Sequence, residues 1–277
     1  MLDVILCTYN SENTIKKCLD SILQQTFTNF KLYIFDDHST DSTINIIKAY
    51  DDNRISTFQS PHNIGTYCGK NYILHTHCKN DFIALHDSDD WSEPTRFEKQ
   101  LKFLRQNNFH CVGTAVKEYI TNDQTSHTIS DEGFNNECRI NTYVHKLDRD
   151  ILYKAKDCLL NDYDGYLKLK FCMNGTMMFT KNLLKNELGG WYSSTRIGAD
   201  TDIFIRTLAQ HNIYNLQEQL YCRMFHPQSL TASKKYGIKS KIRKDYNLSR
   251  LPIISDAIRG ITVKQTLCFQ NLDYKKI

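Results

Sequence analysis

Short apolar runs alternate with helix-like segments along the first part of the chain. The apolar runs are typical of strands that are buried on both faces of a sheet. They lie at residues 2–8, 30–35, 55–59 and 81–85. Between them, apolar residues recur at the spacing of one helix face, which predicts helices at residues 14–25, 42–50 and 69–78. Strands that alternate with helices predict an α/β fold, with a mainly parallel sheet covered by helices on both faces.

The second part of the chain has a less regular pattern. Helices are predicted at residues 96–106 and 201–210, and strands at residues 111–119, 170–180 and 219–225. Residues 121–136 are polar and turn-rich, which predicts an exposed loop or hairpin. From residue 233 the composition shifts to a basic block and then a short apolar stretch. We therefore expect one domain at residues 1–232, divided into residues 1–110 and 111–232, and a basic, partly helical extension at residues 233–277.

Polar clusters follow three of the predicted strands at the point where each strand ends. They are Thr8-Tyr9-Asn10, Asp36-Asp37 and Asp87-Ser88-Asp89. Ligands of open α/β sheets bind just beyond the carboxyl ends of the strands. Three such clusters on one edge of a sheet therefore predict a ligand crevice.

The strand predicted at residues 81–85 leads into Asp87, Asp89 and Asp90. Carboxylates that follow a buried strand need a partner or a ligand, because an unpaired buried charge is costly. If the extended conformation continues, Asp87 and Asp89 face the same way and offer two oxygen donors to a divalent cation. The alternative is a helix N-cap at Asp90 or Ser92, with Pro94 in the first turn. The two interpretations are compatible, and we favour the metal site for Asp87 and Asp89.

Composition excludes some classes of protein. A net charge of +4 is too small to indicate nucleic-acid binding by itself. The ten cysteines form no C-x-x-C pair, and no signal-peptide pattern or membrane-spanning apolar run is present. We therefore expect a cytoplasmic protein with reduced thiols. The cluster from His75 to Cys78 suggests zinc, but no second ligand pair stands at zinc spacing, so we interpret it as a helix end.

Four local motifs resemble those of the family 2 glycosyltransferases, in order and in spacing. They are VILCTYN at residues 4–10 with Glu12, FDDHSTD at 35–41, NIG at 63–65 with Lys70-Asn71, and HDSDD at 86–90. Two later segments are also similar to family motifs: GADTD at 198–202 with Arg206, and HPQSLT at 226–231. The resemblance covers residues 2–231. It implies the GT-A fold, with a Rossmann-like sheet, and an inverting enzyme of the bacterial surface-polysaccharide type.

The resemblance implies a nucleotide-sugar site in residues 1–110. The implied nucleotide-binding residues are Thr8, Tyr9, Asn10, Glu12, Asp37, Asn63, Lys70, Asp87 and Ser88. Asp37 would accept the uracil imide N–H, which favours uridine, and Lys70 stands where the family often has arginine. Asp89 of this DxD motif would bind Mn²⁺ or Mg²⁺, with His226 as a further ligand. The metal acts as a Lewis acid on the departing nucleoside diphosphate.

The same resemblance makes residues 111–232 the acceptor-binding half. Asp200 is the candidate general base for the acceptor hydroxyl, and Ala199 replaces the glutamate that usually precedes it. The residues assigned to the acceptor or the donor sugar are Asn174, Gly175, Trp191, Asp202 and Arg206. The alternatives are that Asp200 and Asp202 are charges at a helix start, and that His226 is a turn residue without a metal.

We therefore expect a metal-dependent, inverting hexosyl- or N-acetylhexosaminyltransferase. It would move a sugar from a UDP-sugar to a glycan or lipid-linked saccharide in capsule or lipopolysaccharide synthesis. One alternative is a nucleotidyltransferase, although no glycine- and basic-rich phosphate loop follows the first strand. Another is a catalytically silent nucleotide- or carbohydrate-binding module, which the presence of Asp87, Asp89 and Asp200 disfavours. The basic tail is a solvated face, or a peripheral contact with anionic lipids of the inner membrane or with a partner domain.

Overall fold

The computed structural model describes residues 1–120, 137–141, 143–169, 171–192, 197–225, 234–235, 237, 239–264 and 275–276. The loop or hairpin predicted at residues 121–136 lies outside these residues, and so does His226. None of the helices in the described parts of the chain has the length and apolar character that a transmembrane span requires.

The first part of the chain forms four parallel strands with helices between them. The strands are β1 (Leu2–Thr8), β2 (Phe30–Asp36), β3 (Ile55–Gln59) and β4 (Phe82–Asp87), side by side in the order β3-β2-β1-β4. The helices are α1 (Ile15–Leu23), α2 (Thr43–Lys48) and α3 (Thr66–Thr76). Every residue of β1 is buried, which explains why its sequence is apolar except for Asp3 and Thr8.

The second part of the chain adds shorter and more varied elements. They are β5 (Trp91–Ser92), α4 (Arg96–Asn107), β6 (Cys111–Ile120), β7 (Glu137–Asn141), β8 (Lys146–Leu147), α5 (Asp150–Asn161), α6 (Tyr163–Leu167), β9 (Met178–Thr180), α7 (Ala199–Thr207), β10 (Ile213–Phe225), α8 (Lys241–Leu248), α9 (Leu251–Ile258) and β11 (Lys275–Lys276). A 3₁₀ turn at Asn174–Thr176 precedes β9, and a π-helical segment at Asn182–Glu187 follows it.

All strands in the described residues belong to one mixed sheet. Its main order is β11-β3-β2-β1-β4-β9-β6-β10-β5. Strand β9 runs antiparallel to both β4 and β6, so it interrupts an otherwise parallel centre. Residues 170–180 were expected to form one strand, and this expectation was wrong. The turn at Asn174–Thr176 breaks the extended chain and leaves only the three residues of β9 in the sheet.

Two apolar clusters cover the two faces of the sheet, as the alternation of strands and helices predicted. Ile5 belongs to one cluster, while its neighbours Val4 and Leu6 belong to the other. This separation follows from the alternation of side chains along a strand. The α/β fold with helices on both faces is therefore confirmed.

The C-terminal extension is packed into the fold where the structure describes it. Helix α9 packs against α5 and α7, and α8 packs against α5. Asn247 of α8 donates a hydrogen bond to the Tyr163 hydroxyl at 3.0 Å, and Arg250 lies 3.3 Å from the carboxylate of Asp202. Strand β11 extends the opposite edge of the sheet by pairing with β3. Helices α8 and α9 therefore pack on α5 and α7 as part of the same folded unit.

Candidate active site

The carboxyl ends of β1, β2 and β4 meet at one edge of the sheet. Thr8 pairs with Asp36 across β1 and β2, and Cys7 pairs with Asp87 across β1 and β4. Because these strands are parallel, their three polar clusters are brought to one crevice. This arrangement is the one that the sequence pattern predicted.

Lys70 and Asp87 form the central ion pair of the crevice. The Lys70 Nζ atom lies 3.3 Å from Asp87 Oδ1, and the Asp87 side chain is 34% exposed while that of Lys70 is buried. Burial by itself lowers the pKa of Lys70, but the charge of Asp87 reverses this and holds the pKa above its ordinary value. Burial likewise opposes ionisation of Asp87, yet Lys70 holds the pKa of this carboxyl below its ordinary value. The site therefore contains a fixed cation beside a partly exposed anion.

Gly175 allows the chain to pass directly beside Asp87. A Cβ atom at this position would lie 2.6 Å from Asp87 Oδ2 and 2.5 Å from the Tyr221 hydroxyl oxygen. The Tyr221 hydroxyl in turn accepts a hydrogen bond from the backbone N–H of Asp87 at 3.2 Å. Gly175 was assigned to the sugar site from the sequence, and the structure places it against the nucleotide-binding carboxylate.

A buried network of hydrogen bonds holds the end of β4. His86 Nδ1 lies 2.8 Å from the Asp87 carbonyl oxygen and Nε2 lies 2.9 Å from Ser92 Oγ. Burial, followed by the charge of Arg96, lowers the pKa of His86 to about 3, so the imidazole is neutral and donates from one nitrogen only. Arg96 donates to Ser92 Oγ at 3.0 Å and to the carbonyl oxygens of Leu85 and Gly175 at 2.9 and 2.8 Å.

Three carboxyl groups concentrate negative charge where a cation was predicted. Burial, together with the charges of Asp89 and Asp87, raises the pKa of Asp90 well above its ordinary value. Asp90 Oδ1 also accepts a hydrogen bond from the Met224 N–H at 2.9 Å, so this carboxyl group already has a partner within the protein. Asp87 and Asp89 remain partly exposed. No group of three or more His, Cys, Asp or Glu side chains within the described residues is arranged to hold a metal ion.

The donor set at this edge fits a cation that is shared with a diphosphate. Asp89, with Asp87 beside it, offers carboxylate oxygens, and hard divalent cations take their remaining ligands from phosphate and water. His226, the further ligand predicted from the sequence, lies outside the described residues.

Asp37 holds the loop that leads into α3. Its Oδ1 accepts the Ile64 N–H at 2.7 Å and its Oδ2 accepts the Gly65 N–H at 2.8 Å. The Asn63 side chain donates to the Asp37 carbonyl oxygen at 3.2 Å. Asp37 therefore fixes this loop. Its contact with a uracil base stays a prediction, in which the uracil N–H would bind the second lone pair of a carboxylate oxygen.

The remaining nucleotide-binding candidates line the opening beside β1. Tyr9 is 48% exposed, and the buried Thr8 hydroxyl has no hydrogen-bond partner within the described residues. Asn10 Oδ1 accepts the Thr40 N–H at 2.9 Å, and Glu12 accepts the Ser42 N–H at 2.9 Å, so both tie neighbouring loops together. The Ser88 hydroxyl lies 2.9 Å from that of Ser11.

Asp200 lies in the first turn of α7, on the acceptor side of the crevice. Its Oδ1 accepts the backbone N–H of Thr201 at 3.0 Å, and its side chain is partly exposed. Its negative charge contributes to the raised pKa of Lys70. The preceding Gly198 has a φ angle of 76°, and the ring of Tyr246 fills the space that a side chain there would need.

Asp202 and Arg206 are closed to solvent, so the structure corrects their assignment to a sugar site. Arg206 Nε donates to Asp202 Oδ2 at 2.8 Å, and both side chains are 0% exposed. Arg206 also donates to the carbonyl oxygens of Leu188 and Gly190, each at 2.7 Å. The pair therefore fixes α7 to the preceding segment, where no face remains for a sugar.

Asn174 and Trp191 are buried close to the crevice. Asn174 is 8% exposed and Trp191 is 0% exposed, and neither Asn174 Oδ1 nor Trp191 Nε1 has a hydrogen-bond partner among the residues that the structure describes. The Lys70 Nζ atom lies 6.0 Å from the centre of the Trp191 ring. A buried polar atom without a partner is costly, and a ligand hydroxyl is one way to satisfy it. Both residues stay candidates for the sugar site.

Four residues of the site were not identified from the sequence. His86 and Tyr221 contact the backbone of Asp87, and Arg96 donates to the Gly175 carbonyl oxygen. The Tyr67 hydroxyl oxygen lies 3.4 Å from Asp200 Oδ1. Tyr67 and Tyr221 look like ordinary core aromatics in a sequence. The only signal for Arg96 was its position at the start of a helix directly after the acidic stretch.

Comparison with known proteins agrees with this geometry. The profile described as "Glycosyl transferase family 2" matches residues 3–185. The chain belongs to this family. The resemblance drawn from the four sequence motifs is therefore confirmed.

Curated relatives match about two-fifths of this chain. The putative glycosyltransferase EpsE of Bacillus subtilis is 38% identical over 119 residues, which are 42% of this chain and 42% of EpsE. The Escherichia coli enzyme UDP-Glc:alpha-D-GlcNAc-diphosphoundecaprenol beta-1,3-glucosyltransferase WfgD is 32% identical over 108 residues, or 39% of this chain and 42% of WfgD. The match thus spans about two-fifths of the length of these relatives.

Solved structures resemble nearly the whole chain. S. aureus TarS in complex with UDP has a TM-score of 0.59 and 19% identity, covering 91% of this chain and 70% of that chain. The mannosyltransferase PcManGT from Pyrobaculum calidifontis, in complex with GDP-Man and Mn²⁺, has a TM-score of 0.56 and 14% identity, with coverages of 92% and 73%. At these identities the likeness shows the shared fold.

Proposed function

We propose that this family 2 member is a metal-dependent, inverting hexosyl- or N-acetylhexosaminyltransferase. It moves the sugar of a UDP-sugar to a glycan or a lipid-linked saccharide in the synthesis of a cell-surface polysaccharide. The observation that carries the proposal is the Lys70–Asp87 ion pair at 3.3 Å, which lies next to Asp89 and within the electrostatic reach of Asp200. A cation, donor carboxylates and a candidate base are thereby collected in one crevice.

On the donor side, each group has a separate role in this proposal. Asp37 receives the uracil imide N–H, Asp87 receives the ribose hydroxyls, and the Lys70 ammonium faces the diphosphate as a point charge. Asp89, with Asp87 beside it, would hold Mn²⁺ or Mg²⁺, which supplies Lewis-acid stabilisation of the leaving diphosphate. Asn174 and Trp191 are the candidate partners of the sugar hydroxyls, because each has a buried polar atom that no group in the described part of the chain satisfies.

On the acceptor side, Asp200 takes the proton of the acceptor hydroxyl. The acceptor oxygen forms a bond to the anomeric carbon on the face opposite the leaving group. The bond from that carbon to the diphosphate oxygen breaks, and the nucleoside diphosphate departs with the electron pair. The configuration at the anomeric carbon is therefore inverted in a single displacement.

The names of similar proteins support the donor and acceptor classes. WfgD is described as using UDP-Glc and a diphosphoundecaprenol acceptor, and TarS is described in complexes with UDP and UDP-GlcNAc. The GDP-Man complex of PcManGT shows that the same fold also serves a guanosine donor. The choice of uridine thus depends on the proposed role of Asp37.

The exposed lysines near α8 support a cytoplasmic enzyme that works at the membrane surface. They are Lys234, Lys235, Lys239, Lys241 and Lys244. Clusters of lysine are attracted to anionic lipids of the cytoplasmic leaflet, where a lipid-linked acceptor would be presented.

Calorimetric titration with UDP, GDP and CDP, each with and without Mn²⁺, tests the donor assignment. We expect UDP to bind in a Mn²⁺-dependent manner and the other two nucleotides to bind at least about tenfold more weakly, because loss of a buried hydrogen-bond partner costs about 1–3 kcal/mol. Tighter binding of GDP or CDP would contradict the role of Asp37. Absence of binding for all three nucleotides would contradict the proposed function.

A further inference from the structure

Tyr67 joins the donor half of the molecule to the candidate base. It is the second residue of α3, and its side chain is only 7% exposed. Its hydroxyl oxygen lies 3.4 Å from Oδ1 of Asp200, a residue 133 positions away in the chain. This separation is long for a hydroxyl–carboxylate hydrogen bond, as catalytic hydrogen bonds commonly are before the substrates close a site.

The Tyr67 hydroxyl can act only as a donor towards the Asp200 carboxylate. Burial, followed by the negative charge of Asp200, raises the pKa of Tyr67 well above its ordinary value. The hydroxyl therefore keeps its proton over the pH range in which the enzyme works. An ionised carboxylate has no proton of its own, so the hydrogen bond between the two groups runs from Tyr67 to Asp200.

The Asp200 carboxylate also accepts a hydrogen bond from the backbone of its own helix. Its Oδ1 accepts the N–H of the next residue, Thr201, at 3.0 Å. The residue before it is Ala199, which is fully buried and offers no polar atom, whereas the family usually has glutamate there. Tyr67 therefore supplies a side-chain contact to the base from a different element of the fold.

The position of Tyr67 is set by the donor-side loop. Asp37 accepts the N–H groups of Ile64 and Gly65 at 2.7 and 2.8 Å, and Gly65 is the N-cap of α3. Tyr67 follows two residues later in the first turn. The carboxylate proposed to receive the uracil base therefore also fixes the start of the helix that carries Tyr67 to Asp200.

We propose that Tyr67 is a positioning residue for the general base. Its hydroxyl donates to Asp200 Oδ1 and holds the carboxylate in the orientation that accepts the proton of the incoming hydroxyl. The inference rests on the proposed function, because it takes Asp200 as the base. It adds a link from the nucleotide-binding loop, through α3, to the atom that receives the proton.

The test is the Tyr67→Phe variant, which removes the hydroxyl and keeps the buried ring. The assay is the release of UDP by hydrolysis of UDP-glucose or UDP-N-acetylglucosamine with Mn²⁺, using whichever donor the natural protein hydrolyses faster. We expect kcat to fall about tenfold, the value of one hydrogen bond to a charged group, while the donor KM stays within about twofold. Calorimetry should show UDP binding with natural affinity, which also verifies the fold.

Two further variants complete the design. Tyr72→Phe removes a tyrosine hydroxyl from the same helix, where it lies 3.4 Å from His77 Nε2, and should keep the natural kcat within about twofold. Asp200→Asn should abolish most of the turnover. The double variant Tyr67→Phe/Asp200→Asn should be no slower than Asp200→Asn alone, because a positioning residue acts only through the group that it positions.

The outcomes separate the inference from the proposed function. If Tyr67→Phe keeps the natural kcat while Asp200→Asn is slow, the inference is overturned and the proposed function is left intact. Losses that multiply in the double variant, or weakened UDP binding in Tyr67→Phe, would also overturn it, because Tyr67 would then act independently of Asp200. Near-natural turnover of Asp200→Asn would contradict Asp200 as the base and with it the proposed mechanism.

Discussion

Asp87 and Asp90 lie three residues apart, yet their surroundings act on their protons in opposite directions. Lys70 outweighs the effect of burial at Asp87 and holds its pKa below the ordinary value. Burial raises the pKa of Asp90 well above its ordinary value, and the charges of Asp89 and Asp87 raise it further. One carboxyl group is therefore kept charged for a ligand, while its neighbour favours the protonated form. Pairs of carboxyl groups separated in this way are typical of functional sites.

Asp89 is the residue on which metal-dependent donor binding should depend. Replacing Asp89 by Ala removes a carboxylate from the cation site, and we expect Mn²⁺-dependent UDP affinity to fall at least about tenfold, as for other losses around metal sites. Calorimetry with and without Mn²⁺ measures this. Asp81→Ala is the matched control, because it removes an exposed carboxylate just before β4, the strand that leads to Asp89. Undiminished UDP binding by Asp89→Ala would exclude Asp89 from the metal site.

Helix α7 assigns different tasks to two carboxylates that are two residues apart. Successive residues of an α-helix are rotated by about 100°, so Asp200 and Asp202 lie on nearly opposite sides. Asp200 is partly exposed at the crevice, whereas Asp202 is buried between Arg206 and Arg250. Burial raises the pKa of Asp202 even beside these two arginines, so the carboxylate depends on both of them to stay charged.

The buried pair Asp202–Arg206 should dominate the stability of this helix. We expect Arg206→Met to lower the free energy of unfolding by about 3–5 kcal/mol, because it leaves a buried carboxylate with one arginine fewer. Urea denaturation measures this change. Arg259→Met is the matched control, since Arg259 pairs with Asp256 at the surface, and exposed pairs contribute at most about 1 kcal/mol. Equal losses for the two variants would contradict the structural role of Arg206.

At the scale of the whole molecule, Arg96 connects the parts that form the site. It lies at the start of α4 and donates hydrogen bonds to the end of β4, to the residue that ends β5 and to the 3₁₀ turn that carries Gly175. His86 completes this network between Asp87 and Ser92. Because a fully hydrogen-bonded buried network is costly to break, we expect the network to hold the donor and acceptor halves in one arrangement.

The same network should make the protein sensitive to acid. The pKa of His86 is about 3 in the folded protein, compared with 6.5 in an unfolded chain. Between these values the unfolded chain binds a proton that the folded chain does not, so acidification favours unfolding. At pH 4, this group alone should lower the free energy of unfolding by about 3 kcal/mol.

Urea denaturation at pH 7 and pH 4 tests this expectation with His86→Asn, which keeps a polar side chain that does not titrate. When the pH is lowered from 7 to 4, we expect the free energy of unfolding to fall by about 3 kcal/mol more in the natural protein than in the variant. His38→Asn, which removes an exposed imidazole at a φ of 70°, is the control. The loss of stability at pH 4 should be as large in His38→Asn as in the natural protein. A smaller loss in His38→Asn, or an undiminished loss in His86→Asn, would contradict the role of His86.

The amino-acid sequence by itself determined the fold class, the family and the edge of the sheet at which the site lies. Strands and helices leave periodic patterns of apolar residues, which are local and can be identified without a structure. The polar clusters after β1, β2 and β4 were identified for the same reason. Parallel strands must align their carboxyl ends, so the grouping of Thr8, Asp37 and Asp87 followed from the pattern alone.

Only the tertiary structure decided which of these residues contact one another. It separated Asp202 from Asp200, placed an antiparallel strand between β4 and β6, and packed α8 and α9 against α5 and α7. It also brought the Tyr67 hydroxyl to Asp200 across 133 residues of sequence. Contacts of this kind depend on how separate elements pack, and packing leaves no periodic signal in either segment. The sequence therefore specified where the chemistry is located, and the fold determined how its groups are held.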